Sequence, residues 1–96
     1  MILSFGDRAT EDIYHGTNSR EARAIPKELW KTAFRKLDSL NAAHELRDLR
    51  EPPGNRLEAL KGSRAGLHSI RVNDQYRIVF EWAGSGAGKV RIVACH

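Results

Sequence analysis

At 96 residues, with 16 Lys/Arg against 12 Asp/Glu and a formal net charge of +4, the chain is long enough for one domain, 1–96, around a single modest core. No apolar run approaches the ~18 residues of a membrane span, and after Met1-Ile2-Leu3-Ser4-Phe5 the sequence turns polar at once, unlike a signal peptide. Its one cysteine, Cys95, permits no internal disulfide and shares no ligand spacing with the four histidines, so the expectation is a cytoplasmic protein holding no metal and no cofactor.

Ile2-Leu3-Ser4-Phe5 reads as a short strand. Asp7 reads as the cap of a helix running to Tyr14 or His15, with Ala9, Ile13 and Tyr14 inward. After a loop at Gly16-Thr17-Asn18-Ser19, Pro26 stands where the first turn of a helix tolerates it. Behind it Leu29, Trp30, Ala33, Phe34, Leu37 and Leu40 recur at helical spacing, while Lys27, Lys31, Arg35 and Lys36 cover the other side. Asn41 can cap a shorter helix from Ala42 to Leu49, with Leu46 and Leu49 apolar, which Pro52-Pro53-Gly54 ends.

The second half alternates with period two instead. From Leu67 to Asn73, His68, Ile70 and Val72 share one face, and Ser69, Arg71 and Asn73 the other. From Tyr76 to Trp82 the inward set is Tyr76, Ile78, Phe80 and Trp82, with Arg77, Val79 and Glu81 opposite. Asn73-Asp74-Gln75 joins the two as a hairpin. Gly84-Ser85-Gly86-Ala87-Gly88 reads as a flexible loop leading to a last strand, Lys89 to Val93; it precedes no helix, which argues against a phosphate-cradling role. The expected fold is α+β, with two or three helices packed on one face of a mainly antiparallel sheet of four or five strands.

The charge is one-sided. Residues 1–49 hold eight basic and eight acidic side chains, whereas residues 50–96 hold eight basic ones against Glu51, Glu58, Asp74 and Glu81. The excess therefore lies in the sheet half. Arg71 and Arg77 project to the face that the helices leave open, and Lys61 and Arg64 lie on the turn leading in. Such a field suits a polyanion. An ordinary solvated face and an acidic protein partner fit the same charges.

The segments LEALKG, the R-A-G turn, SIRVNDQ followed by an aromatic and Arg, a closing histidine, and the upstream LRDL and PPGNRLEALKG resemble the HigB-type killer toxins of the RelE/ParE superfamily. The resemblance covers nearly the whole chain. It implies a toxin of a type II toxin–antitoxin system that enters the ribosomal decoding site and cuts the bound mRNA. The partner it implies is a HigA-type helix-turn-helix antitoxin, which reaches operator DNA only as part of the toxin complex. It also implies chemistry without metal: the RNA 2′-hydroxyl attacks the adjacent phosphate, so the protein must position the backbone, neutralise charge and move two protons. On this likeness Arg77 meets the scissile phosphate, Lys61 of the LKG turn assists it, and Arg64, Arg71 and Asn73 track the RNA. Glu58 and His96 are the acid–base pair.

The tail departs from the family. Relatives commonly end in Asp-Tyr-His, whereas this chain ends Ala94-Cys95-His96, so only the histidine of the three remains. Histidine titrates near neutrality unaided, whereas a glutamate needs burial to do so. Loss of general acid–base groups costs about 10²–10⁴-fold in rate. Three readings follow: an active interferase, a weakened toxin that mainly binds its antitoxin and regulates its operon, or a different nucleic-acid-binding or interaction module on the same scaffold. Elsewhere the residues read as structure. His68, Trp30 and Trp82 belong to the core, His15 and His44 are solvated, and Lys27, Lys31 and Arg35 form a wet helix face.

Overall fold

A computed structural model describes residues 1–94, and in it the helices come first and the sheet follows. Helix α1 spans Arg8–Tyr14, and it begins where the sequence says it should. Asp7 is extended, and its carboxylate accepts the Thr10 N–H at 2.9 Å, satisfying one of the donors every helix start leaves open. Thr10, Asp12 and Ile13 are the residues α1 buries. The Thr10 hydroxyl accepts the buried Ile92 N–H at 2.8 Å, which ties the helix to the sheet.

After a 3-10 turn at Lys27–Leu29, helix α2 runs over Trp30–Ala42 and buries Ala33, Leu37 and Leu40. Phe34, expected inward with them, is 43% exposed. It stands on the flank of the stripe, where it stacks on Tyr14 with ring centroids 5.5 Å apart. Asn41 caps nothing: α2 continues through it, and its amide oxygen accepts the Ile2 N–H at 2.9 Å. The expected third helix is a 3-10 segment, Leu46–Arg50, whose start is held by Asp48 accepting from the His44 and Glu45 N–H groups. Ala43 and Glu45 are extended, and Glu51 is extended ahead of Pro52, which leaves only Leu46–Arg50 between them.

Strands β1 (Glu58–Ala59), β2 (Leu67–Arg71), β3 (Tyr76–Ala83) and β4 (Gly86–Ala94) form an antiparallel sheet in sequence order. The first segment of the chain joins it as two parallel bridges on β4, Ile2 to Ala87 and Phe5 to Val90, in place of a full strand. Gly86, Ala87 and Gly88, expected in a loop, are paired strand residues opposite Ala83, Trp82 and Glu81. The reason is steric. A Cβ on Gly86 would meet Leu3 Cγ at 2.6 Å and the Met1 carbonyl oxygen at 2.9 Å, so glycine there admits the N-terminal segment.

The helices cover one sheet face, and the core lies between them. Ile70, Ile78, Phe80, Val90 and Ile92 pack with Ile13, Ala33, Leu37, Leu40 and Leu49. His68 stacks on Phe80, and Tyr76 and Trp82 pack at the core margin, as their parity requires.

Candidate functional site

The alternation that buries Ile78 and Phe80 sends their neighbours to the other face. Register places Ser69 opposite Glu58 and Val79, Arg71 opposite Arg77, Arg77 opposite Val93, and Val79 opposite Arg91. This face is less open than parity alone suggests, for Ser69 and Val79 are buried. Leu60, Arg64, Ser69, Arg77, Val79, Val93 and Ala94 enclose a recess of about 320 Å³. A second groove, about 420 Å³, continues from it across Val79 toward Phe5, Leu67 and Arg91, with the Glu81–Lys89 ion pair (3.5 Å) on its rim.

Arg77 is the organised group of the site. Its side chain is only 17% exposed. Nε donates to Ser69 Oγ at 2.8 Å, and Nη2 donates to the Arg56 carbonyl at 2.6 Å and more weakly to the Ser69 carbonyl at 3.4 Å. The Glu58 carboxylate stands 4.0 Å from Nη2. Nη1 makes no hydrogen bond among the described residues. A guanidinium is planar, permanently charged and suited to two oxygens of one phosphate, so one held at its inner edge keeps outer N–H groups for an anion.

The other expected residues are distributed around it. Arg64 lines the recess, and Lys61 is exposed at the start of the 3-10 turn Gly62–Arg64. Glu58 is 60% exposed and faces Arg77 across β2. Arg71 turns away from the like charge opposite it and pairs with Asp74 at the hairpin. Asn73 shapes that hairpin: its amide oxygen accepts the N–H groups of Gln75 at 2.9 Å and Tyr76 at 2.8 Å. His96 lies outside the described residues. Ala94, opposite Tyr76, contributes to the recess wall.

Three participants escape a reading of the sequence. Ser69 shows only as a polar strand residue, and its hydroxyl partner is eight positions away. Arg91 lies on the face opposite the buried Val90 and Ile92 by alternation, but its place beside Val79 depends on a cross-strand register that the sequence does not show. Arg56 acts through its backbone carbonyl, in a left-handed conformation (φ 45°, ψ 57°) that non-glycine residues seldom adopt. Among the described residues no cluster of three or more His, Cys, Asp or Glu side chains offers a metal site, and no helix is long and apolar enough to cross a membrane.

An antiparallel meander with two helices on one face is the RelE-like architecture. The structure of a YoeB dimer from Staphylococcus aureus matches it over 100% of this chain and 97% of that one, with a TM-score of 0.62 at 20% identity. The sequence then narrows the class. Residues 3–93 match the family described as RelE-like toxin of type II toxin–antitoxin system HigB. The chain is 46% identical over 82 residues to Toxin HigB-1 of Vibrio cholerae serotype O1, covering 85% of this chain and 84% of that protein. It is also 42% identical over 69 residues to an uncharacterized protein of Haemophilus influenzae, covering 72% and 64% of the two. The chain belongs to the HigB family of type II toxin–antitoxin toxins, and an antitoxin partner is implied by that membership.

Proposed function

We propose that this toxin is a ribosome-dependent mRNA endonuclease that works by attack of the RNA 2′-hydroxyl on the adjacent phosphate, without metal or cofactor. The observation that carries the reading is Arg77, fixed on Ser69 and the Arg56 carbonyl at the wall of a recess and retaining N–H groups for a phosphate. In this reading Arg77 stabilises the charge that builds on the phosphate oxygens, which is where preorganised donors act most strongly. Lys61 and Arg64 approach from the turn beside it, and Arg71, Asn73 and the hairpin border the RNA path. Glu58 and His96 share the two proton transfers. The partner is a HigA-type helix-turn-helix antitoxin, whose complex with the toxin binds operator DNA. The chain acts as one domain in the cytoplasm.

A second reading, a weakened toxin acting mainly through antitoxin binding and operon regulation, is favoured by Ala94. A methyl group lines the recess where relatives commonly carry an acid. Expression without antitoxin, with growth and cleavage of a reporter mRNA followed together, separates the two. Arrest with cleavage, both abolished by Arg77→Ala, supports the nuclease. Arrest only from an Ala94→Asp/Cys95→Tyr variant supports the weakened toxin. Silence from both sinks the nuclease reading.

A further inference from the structure

The segment between α2 and β1 contains a polar residue with no contact to solvent. Asn55 is fully buried, and its amide nitrogen donates to the Leu49 and Glu51 carbonyls, both at 3.1 Å. Its amide oxygen accepts from the Lys36 ammonium of α2. Its own N–H closes a tight turn onto the Pro52 carbonyl at 2.9 Å. Every polar function of the side chain is thus engaged, and together they pin the segment to the last helical turn and to α2. Lys36 is partly buried there, which pushes its amine below the ordinary value, and Arg35 and Arg71 add to the effect.

The next residue is Arg56. Its left-handed backbone would not hold unsupported, because such a conformation costs a non-glycine residue about 1 kcal/mol or more. Its N–H bonds to the Pro53 carbonyl at 3.1 Å, and its own carbonyl accepts a hydrogen bond from Arg77 Nη2. Ser69 holds the guanidinium firmly at Nε but only weakly at Nη2, through its carbonyl at 3.4 Å. The Arg56 carbonyl at 2.6 Å is the firm bond to Nη2, and in-plane bonds at both Nε and Nη2 limit the tilt of the fork.

We propose that Asn55 is a positioning residue of the site: it clamps the 49–56 segment so that the Arg56 carbonyl holds the Arg77 guanidinium in one plane facing the recess. What this does for RNA cleavage rests on the nuclease reading above, whereas what it does for the order of Arg77 does not. The side chain acts through the loop and touches no reacting atom. A well-placed group displaced by about 1 Å can lose on the order of 10²-fold in rate. Loosening the clamp therefore lowers kcat about 10- to 100-fold while KM changes little.

The test uses the full chain with Asn55→Ala, Arg56→Val and Arg56→Asn. Solvent exchange of the Arg77 Nη2 protons, which bond to the Arg56 carbonyl, is read by nitrogen-15 NMR, and kcat and KM are measured for message cleavage on ribosomes. Asn55→Ala and Arg56→Val are expected to raise the exchange rate about tenfold or more and to lower kcat, the second because a β-branched residue resists the left-handed backbone. Arg56→Asn loses the same charge but tolerates that backbone, so its exchange rate stays well below that of Arg56→Val and its kcat above it, the charge loss being common to both. A folded Asn55→Ala whose Arg77 exchanges at the wild-type rate overturns the proposal. Should Asn55→Ala fail to fold, equal behaviour of the two Arg56 variants overturns it instead. If the wild-type chain cleaves no message, the nuclease reading falls while the exchange rates still decide the placement of Arg77.

Discussion

The two faces of the sheet are made from alternate residues of the same strands, yet different forces hold them. On the helix side Ile70, Ile78, Phe80, Val90 and Ile92 are buried among other apolar groups, an arrangement that is non-directional and tolerant of shape-matched exchange. On the recess side Ser69 and Val79 are nearly as buried, but Arg77 beside them is oriented by directional bonds to Ser69 and to a carbonyl 21 residues away. Neighbours in sequence therefore carry different burdens. Ile78 holds the fold; Arg77, one position earlier, is held by it.

The contrast breaks most readily at its largest effect. Phe80→Ala should lower the free energy of unfolding by about 3–5 kcal/mol, measured by urea denaturation, and a loss below about 1 kcal/mol would mean the helix-side face does not carry the fold. Arg77→Lys keeps the charge and loses the fork, so message cleavage on ribosomes should fall about 10²–10³-fold while stability stays within about 1 kcal/mol. Should stability fall as far as activity, the two faces are not separable. Thr10→Val leaves the buried Ile92 N–H without its acceptor and should cost about 1–3 kcal/mol, whereas Thr10→Ser keeps the hydroxyl and most of the stability. Equal unfolding midpoints for the two variants would remove that bond from the account.

The smallest effect is acid dependence. The Ser19 hydroxyl first, and then Arg8, hold the Asp12 carboxyl below the usual carboxylate range against an opposing effect of burial. A depressed folded-state value contributes stability that is fully present above about pH 4 and is lost as pH falls through the lower folded value. Asp12→Asn should therefore flatten the acid limb of a Tm-against-pH series and leave the neutral region little changed in slope. An unaltered acid limb would assign that limb to other carboxylates.

Sequence pattern went furthest where structure is local. The Asp7 cap needs only Thr10, three residues on, and the parity of Ile70, Arg71, Arg77 and Ile78 needs only the strand itself. Phe34, Asn41 and the Gly86-Ala87-Gly88 strand were misread for one shared reason. Each depends on a remote part of the chain: Tyr14 beside Phe34, Ile2 above Asn41 and Leu3 against Gly86. The candidate site divides in the same way. Arg77 and the cations of the turn were legible as residue types at strand spacing, but the groups that hold Arg77 were not. One of them is a backbone carbonyl, which has no letter in a sequence, and the cross-strand register that sets Arg91 beside Val79 has none either.

The N-terminal segment has a consequence for what the sheet can join. An uncovered edge strand offers unpaired N–H and C=O groups to any passing chain and invites pairing or aggregation. Here the outward N–H groups of Ala87 and Val90 bond to the Met1 and Ser4 carbonyls, that of Lys89 to the Ser4 hydroxyl and that of Ile92 to Thr10. At the opposite side the sheet ends in β1, which is two residues long. Among the described residues one margin is covered from Ala87 to Ile92 and the other ends in a two-residue strand, so the sheet itself offers little edge for a partner to extend by strand addition.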